Sequence, residues 1–235
     1  MTTTAWAGSA SRAVQLRRSS RRRSRSTSHE TEHHVAALAP YCQRVRTDRL
    51  EAFSDGVIAI IITIFVLELP KPKHGTWQSL HDVWPVLLSY VLSFAVIGIY
   101  WNNHHHMLRA TQRINGIVLW ANLFLLFWLS LFPFATGWMG EQHFARVPTA
   151  VYGVVLLMAA IAYYLLQLTI IASEGPDSTL KTAIGRDMKG KLSPVIYATS
   201  IGLAFVNRWL ALAGYAVVTL MWLIPDRRLE SRLQD

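Results

Sequence analysis

Long apolar stretches, separated by short polar connections, dominate the chain after residue 50. Six stretches are rich in Leu, Ile, Val, Ala, Phe and Trp, and they cover Phe53–Leu69, Val83–Trp101, Ile114–Met139, Val147–Ala172, Leu192–Val206 and Trp209–Ile224. A helix needs about 20 mostly apolar residues to span a bilayer. The second, third and fourth stretches meet that length, whereas the first lies at the short end and the last two are shorter still. The pattern predicts an all-α membrane protein.

The last two apolar stretches are separated only by Asn207 and Arg208. One continuous helix over Leu192–Ile224 would be far longer than a bilayer needs. We therefore interpret Asn207-Arg208 as the tip of a tight helical hairpin. With this hairpin, the sequence predicts six transmembrane helices in each subunit.

Lys and Arg residues are distributed unequally between the two ends of the predicted helices. Of the 23 such residues, 19 lie in the chain up to Arg49, in Arg109–Arg113, in Glu174–Lys191 and after residue 225. The connections on the opposite side carry four, which are Lys71, Lys73, Arg146 and Arg208. Positively charged loops stay in the cytoplasm. We therefore predict a multi-pass protein of the plasma membrane with both termini in the cytoplasm, which requires an even number of helices.

The chain divides by composition into three parts. Residues 1–46 form a basic tail, rich in Arg, Ser and His, and such a composition is typical of disorder. Residues 47–225 form the transmembrane domain, and residues 226–235 form a short cytoplasmic tail. Most of the net charge of +9 comes from the first tail, so that charge is no argument for specific nucleic-acid binding. The tail either contacts anionic lipid headgroups or mainly sets the topology.

Overall composition supports a membrane protein and limits the chemistry available to it. Charged residues make up 16% of the chain, against about 25% in ordinary soluble proteins. Cys42 is the single cysteine, which excludes an intrachain disulfide and a cysteine-rich metal or redox site. No paired Ser/Lys, Asp/Asp or His-Glu-x-x-His set is present, so we do not expect an enzyme.

The first predicted helix has two different faces. On a helical wheel Ile60, Thr63, Ile64 and Leu67 fall within about 100° of one another, and Asp55 points about 140° away from Ile60. Ionisable groups at membrane depth are costly and usually have a function. For the aliphatic stripe, spacing alone favours ordinary packing against lipid or another helix.

Polar residues collect near the predicted cytoplasmic ends of the first three helices. An antiparallel hairpin brings Asn102–His105 within a turn or two of Arg49 and Asp55, and the third helix brings Asn115 and Asn122 to a similar depth. A buried carboxylate must be paired or hydrogen-bonded. The sequence therefore predicts a polar network that joins the first three helices near the inner leaflet.

Three interpretations of this network remain open from the residues. It is a structural clamp, or a proton relay or gating latch, since His titrates near neutral pH, or a transition-metal site built from His104–His106. The metal site is the least favoured because adjacent residues on a helix diverge by about 100°, and no second cluster at helical spacing completes it. We expect no metal and no cofactor.

An Arg-x-x-x-Phe-Ser-Asp-Gly motif occupies residues 49–56, at the start of the first helix. This motif resembles the first-helix signature of the transmembrane protein 175 family, which comprises potassium channels of endosomes and lysosomes and their prokaryotic homologues. The Trp-Asn-x-x-His pattern at 101–105 and Phe-Pro-Phe at 132–134 resemble the family pattern too. The similarity covers about residues 47–225.

The resemblance implies a pore and its lining. A single six-helix unit implies a homotetramer in which the first helix of each subunit lines one central pore. Ile60 matches the constriction position of the family, with Ile64 and Leu67 one and two turns outward. Thr63 matches a position whose hydroxyl is tied to ion selection in the family. The resemblance assigns a part in ion selection to Ile60 as well. The chain has no Thr-Val-Gly-Tyr-Gly filter of ordinary potassium channels.

The resemblance also implies a conformational network of polar side chains between helices. The residues assigned to it are Arg49, Ser54, Asp55, Trp101, Asn102, His104, His105 and Asn122. Which of His104–His106 takes part stays open.

We therefore expect a potassium-permeable cation channel, either potassium-selective or leak-like, whose partners are further copies of itself, the bilayer and potassium ions. The alternative is a proton- or cation-coupled secondary transporter that uses Asp55 and the histidines of the second helix. Transporters commonly contain inverted repeats and helices broken at mid-membrane. No repeat is visible in the sequence, and the candidate breaks, Pro133 and Pro194, lie in non-corresponding positions.

Overall fold

The computed structural model describes residues 47–111, 113–175, 178, 180–181 and 188–223. The α-helices of six or more residues among them are α1 (Thr47–Leu67), α2 (Trp77–Asp82), α3 (Trp84–Arg109), α4 (Gly116–Ser130), α5 (Phe132–Glu141), α6 (Arg146–Glu174), α7 (Met188–Val206) and α8 (Arg208–Leu223). The predicted tails at 1–46 and 226–235 lie outside the described residues, as do parts of the predicted loop between α6 and α7.

Four spans are long and apolar enough to cross a membrane, judged by length and composition. They are α1, α3, α6 and the 26-residue span Gly116–Glu141 that α4 and α5 form together. These spans coincide with the first four predicted stretches and confirm them. Helix α8 is apolar but has 16 residues, and α7 has 19 residues and begins with two lysines in its first four positions.

The span Gly116–Glu141 was predicted as one helix over Ile114–Met139, but it is interrupted at Leu131. Pro133 has no backbone N–H and cannot donate the helical hydrogen bond at its position, so it is tolerated only in the first turn of a helix. Leu131 keeps φ −84° and ψ −9°, and the chain therefore continues in nearly the same direction. Pro194, in contrast, lies inside α7 without ending it.

Helices α7 and α8 form the predicted hairpin. Asn207 separates them, and Arg208 belongs to α8 rather than to the turn. The Trp222 indole N–H, near the end of α8, donates to Ser193 Oγ near the start of α7 at 2.8 Å. This bond joins the two ends opposite the turn, so the helices run antiparallel.

Helix α6 forms the centre of the subunit and contacts α4, α5, α7 and α8. Its buried face includes Tyr152, Leu156 and Leu166, all without exposed surface. Close approach to α8 depends on Gly153, because a Cβ at that position would collide with the ring of Tyr215. Helix α1 adds Leu50, Ile58, Ile61 and Phe65 to this core and leaves its other face uncovered.

Candidate functional site

Helix α1 presents one buried and one exposed face. The buried residues recur every three or four positions along the helix, and they are Leu50, Ser54, Ile58, Ile61 and Phe65. The exposed large apolar side chains follow the same period on the other side, and they are Phe53, Ile60, Val66 and Leu67. An apolar face left uncovered within the subunit must be covered by lipid or by another copy, or must line an apolar passage.

The predicted pore stripe lies largely on the exposed face. Ile60 is 59% exposed and Leu67 is 82% exposed, Thr63 is exposed, and Ile64 is half-buried. The Thr63 hydroxyl donates to the Ile60 carbonyl at 2.8 Å. Since the proton of this hydroxyl points back to its own helix, its oxygen can offer lone pairs to a cation beside the helix.

Asp55 is held by the indole of Trp101. The Trp101 N–H donates to Asp55 Oδ1 at 3.0 Å, which links α1 to α3. The Trp101 ring also stacks on the His105 ring one turn later, at a centroid distance of 6.0 Å and an interplanar angle of 28°. The partner of this carboxylate is therefore a neutral N–H group.

Ser54, His104 and Asn122 form a fully buried chain of hydrogen bonds between α1, α3 and α4. His104 Nε2 lies 2.7 Å from Asn122 Oδ1, the Asn122 amide donates to Ser54 Oγ at 2.9 Å, and the Ser54 hydroxyl donates to the Leu50 carbonyl at 2.9 Å. All three bonds run in one direction when His104 Nε2 carries a proton. The chain ends at a backbone carbonyl, which cannot pass a proton onward.

Glu51 is a member of this region that the sequence analysis missed. His105 Nδ1 lies 2.7 Å from Glu51 Oε1, and Arg109 Nε lies 3.7 Å from the same oxygen. Arg109 is 68% exposed, so its pairing contributes little to stability. Glu51 precedes Asp55 by one helical turn, and this spacing was the available signal that both face α3.

Two of the predicted network residues lie apart from it. Arg49 and Asn102 are exposed, and within the described residues neither side chain makes a hydrogen bond or an ion pair. Asn115, which the sequence places at a similar depth, caps α4 by accepting from the Val118 amide at 3.0 Å. Of the three histidines, His104 and His105 contact the network, whereas His106 is exposed and its ring lies edge-on to that of His105.

One group of side chains near the N-terminal end of α1 has ligand atoms spaced as a metal ion would need. Glu51, Asp55 and His105 each offer one such atom, and these atoms lie within 4.8 Å of one another. Each also has a protein partner, since Trp101 binds Asp55 and Glu51 pairs with His105. These contacts are sufficient to hold the three side chains in place.

Comparisons with known proteins all give one family. A family model described as endosomal/lysosomal potassium channel TMEM175 matches residues 49–133. A potassium channel of Chryseobacterium sp. (strain P1-3) is 51% identical over 187 residues, which cover 80% of this chain and 97% of that protein. A potassium channel of Streptomyces collinus is 32% identical over 185 residues, covering 74% of this chain and 90% of that protein.

A solved structure has the same fold. The crystal structure of a lysosomal potassium-selective channel TMEM175 homolog from Chamaesiphon minutus matches with a TM-score of 0.66 at 30% sequence identity. The match covers 77% of this chain and 97% of that one. Nearly the whole of each of these bacterial relatives is therefore represented in this chain.

Proposed function

Because the chain belongs to the TMEM175 family, we propose that it forms a potassium-permeable channel, either potassium-selective or leak-like, and is not an enzyme. The observation that carries the proposal is the division of α1 into two faces. Polar and apolar side chains fix its inner face to α3 and α4, while its aliphatic stripe stays uncovered within the subunit. A helix anchored on one side and apolar on the other is suited to lining a passage shared between subunits.

We propose that four copies surround one central pore. Ile60 then forms its narrowest ring, with Ile64 and Leu67 further outward. An ion at an apolar ring loses water and gains no ligand, so such a ring controls conduction by dewetting. Thr63, between Ile60 and Ile64 in sequence, supplies hydroxyl oxygens that, together with the width at Ile60, select among ions.

The polar contacts of α1 serve to hold the pore helix in position. The chain from His104 through Asn122 to Ser54 ends at a carbonyl, which supports a clamp rather than a proton relay. Glu51 and Asp55 hold the same helix through His105 and Trp101.

For the rest of the molecule we propose the organisation expected from the sequence. A basic tail at 1–46 precedes a six-helix domain at 47–225 and a short tail at 226–235, with both termini in the cytoplasm and the domain in the plasma membrane. Helices α7 and α8 are the fifth and sixth crossings. Their antiparallel pairing supports this proposal, because a hairpin returns the chain to the side from which it entered.

Ion flux through reconstituted protein tests the proposed activity. The full chain is placed in liposomes under separate gradients of potassium, sodium and protons. We expect potassium to move down its own gradient without any other gradient being imposed. Potassium movement that requires a proton or sodium gradient would instead support the transporter that uses Asp55 and the histidines of α3.

A further inference from the structure

Two carboxylates and an imidazole converge where α1 meets α3. Glu51 and Asp55 lie one turn apart on α1, and His105 approaches them from α3. One ligand atom from each of the three side chains lies within 4.8 Å of the other two. Like charges four residues apart on a helix repel each other, so a positive ion between the two carboxylates is favourable.

The Nδ1 atom of His105 is buried and has no hydrogen-bond partner. Glu51 Oε1 lies 2.7 Å from it, but the two atoms lack the alignment of a hydrogen bond. A nitrogen lone pair and a carboxylate oxygen repel each other at this distance unless they share a proton or a metal ion. A shared proton needs a nearly straight N–H···O arrangement, whereas a metal ion lies to one side of the line between its ligands. The geometry therefore suits a metal ion better than a proton.

Trp101 holds two of the three ligands in place. Its indole N–H donates to Asp55 Oδ1 at 3.0 Å, and its ring stacks on the ring of His105. The hydrogen bond uses one lone pair of the Asp55 carboxylate and leaves the others for an ion. Outer contacts of this kind orient the ligands of metal sites.

The site is partly open to water. The side chains of His105 and Glu51 are 22% and 16% exposed, so an ion can enter and a water molecule can complete its coordination. Arg109 Nε lies 3.7 Å from Glu51 Oε1, but that side chain is 68% exposed and can turn into the solvent when an ion binds. One nitrogen and two oxygen ligands with an open fourth position are typical of Zn²⁺ and similar ions.

We propose that Glu51, Asp55 and His105 bind a divalent transition-metal ion such as Zn²⁺, which cross-links α1 to α3. The sequence disfavours a site made of the adjacent histidines, because a second cluster at helical spacing is needed. Glu51 and Asp55 are that second cluster, and they require only one of the histidines. Binding of the ion does not rest on the channel proposal.

Thermal unfolding of the full-length protein in detergent tests the site. Zinc at about 100 times its dissociation constant should raise the melting temperature by about 5 °C or more, since it binds only the folded arrangement. Magnesium has the same charge but prefers oxygen ligands and keeps its water, so it should raise the melting temperature much less. The basic tail contains His29, His33 and His34, which also offer zinc ligands. The melting temperature is therefore measured rather than the amount of zinc bound.

Substitutions then locate the ion. Asp55→Asn keeps the acceptor for Trp101 but removes one charged ligand, and it should lose most of the rise that zinc causes. His105→Gln removes the nitrogen ligand and should abolish that rise. The matched controls are His106→Asn, next to His105 on α3, and Asp48→Asn, an exposed carboxylate of α1. Both controls should keep the full rise.

Three results would overturn the proposal. Zinc could stabilise the parent protein no more than magnesium does, which would show that the three side chains bind no such ion. Zinc could stabilise the parent, Asp55→Asn and His105→Gln proteins equally, which would place its site elsewhere, for example in the tail. His106→Asn could lose the rise as His105→Gln does, which would mean that the ligand set is wrong. None of these results bears on potassium flux, so failure of zinc binding is distinguishable from failure of the proposed channel activity.

Discussion

Ile60 is exposed in the single subunit and is the residue proposed to form the narrowest ring of the pore. Its side chain is 59% exposed in the single subunit and lies one turn from Ile64. Asn at this position would replace four apolar side chains with polar ones and keep the narrowest ring wet. We expect Ile60→Asn to raise potassium flux several-fold in liposomes and to reduce the discrimination between potassium and sodium.

The control for Ile60 needs an equally exposed isoleucine elsewhere. Ile61 points about 100° away but is 3% exposed, so a polar substitution there would test folding instead. Ile117, on α4, is 66% exposed, and Ile117→Asn should leave flux and ion preference unchanged. If Ile60→Asn also behaves like the parent, the conduction path lies elsewhere and the transporter alternative gains support.

The stability that Asp55→Asn is expected to cost depends on which group is the partner of the Asp55 carboxylate. If Asp55 were paired with Arg49 or a protonated His, replacing its carboxylate with a neutral group would lower the stability of the protein by about 3–5 kcal/mol. The sequence alone predicts such a loss. The observed partner is the neutral Trp101 N–H. The side-chain oxygen of an Asn at position 55 can still accept a hydrogen bond from it. We now expect Asp55→Asn to cost about 1 kcal/mol or less, and Asp55→Leu to cost more.

Melting temperatures of the two Asp55 variants in detergent measure this difference. A large drop for Asp55→Asn, equal to that of Asp55→Leu, would mean that the negative charge itself is needed. The counter-charge would then come from a neighbouring copy, for which the exposed Arg49 is the available cation.

The angular positions of residues around the axis of α1 explain which side-chain contacts could be predicted from the sequence. On the helical wheel Arg49 lies about 20° from Ile60 and about 120° from Asp55, so its exposure was implicit in the spacing. Counting residues along antiparallel helices puts His104 and Asn122 at a similar depth, and their side chains lie 2.7 Å apart. The contact between Glu51 and His105 depends on the rotation of α3 about its own axis, which counting along the chain does not give.

At the scale of elements, Asn122 connects three helices through two buried hydrogen bonds. Asn122→Leu would leave His104 Nε2 without a partner and remove the donor to Ser54 Oγ. Each buried polar group left unpaired costs about 1–3 kcal/mol. We therefore expect a loss of about 2–4 kcal/mol, which should appear as a lower melting temperature of the detergent-solubilised protein.

Asn102→Leu provides the matched control for Asn122. Asn102 is exposed near the end of α3 and forms no hydrogen bond within the described residues, so stability should change little. Equal melting temperatures for Asn122→Leu and the parent would show that the hydrogen-bond chain does not clamp the three helices.

The elements themselves were predictable to the extent that apolar patterning defines them. The four long spans and the hairpin at Asn207 follow from the length of apolar runs. The short helix α2 was missed because its sequence, Trp77–Asp82, is mostly polar and depends on a cap, the Thr76 hydroxyl, which accepts from the Ser79 amide at 3.3 Å. The start of α4 is likewise set by the cap at Asn115, and not by hydrophobicity.

At the scale of the whole molecule, the uneven distribution of Lys and Arg predicts the orientation. Reporter proteins fused after residue 235 and inserted at Gly75, between α1 and α2, should report opposite sides of the membrane, with the C-terminus in the cytoplasm. Gly75 is a suitable insertion point because no other part of the protein lies within 4 Å of a Cβ added there. Reporters that agree on one side would contradict the six-crossing topology.

The assembly determines whether the exposed stripe of α1 can form a passage at all, because one subunit leaves it uncovered. Native mass spectrometry should give four times the chain mass of 26.6 kDa. Mixed assemblies of parent and Ile60→Asn chains then test whether the copies share one pore. In a shared pore, mixing the chains also forms rings that hold one, two or three variant residues. The flux plotted against the fraction of variant chain should then depart from a straight line. A straight line, or a conducting monomer, would show that each subunit conducts alone.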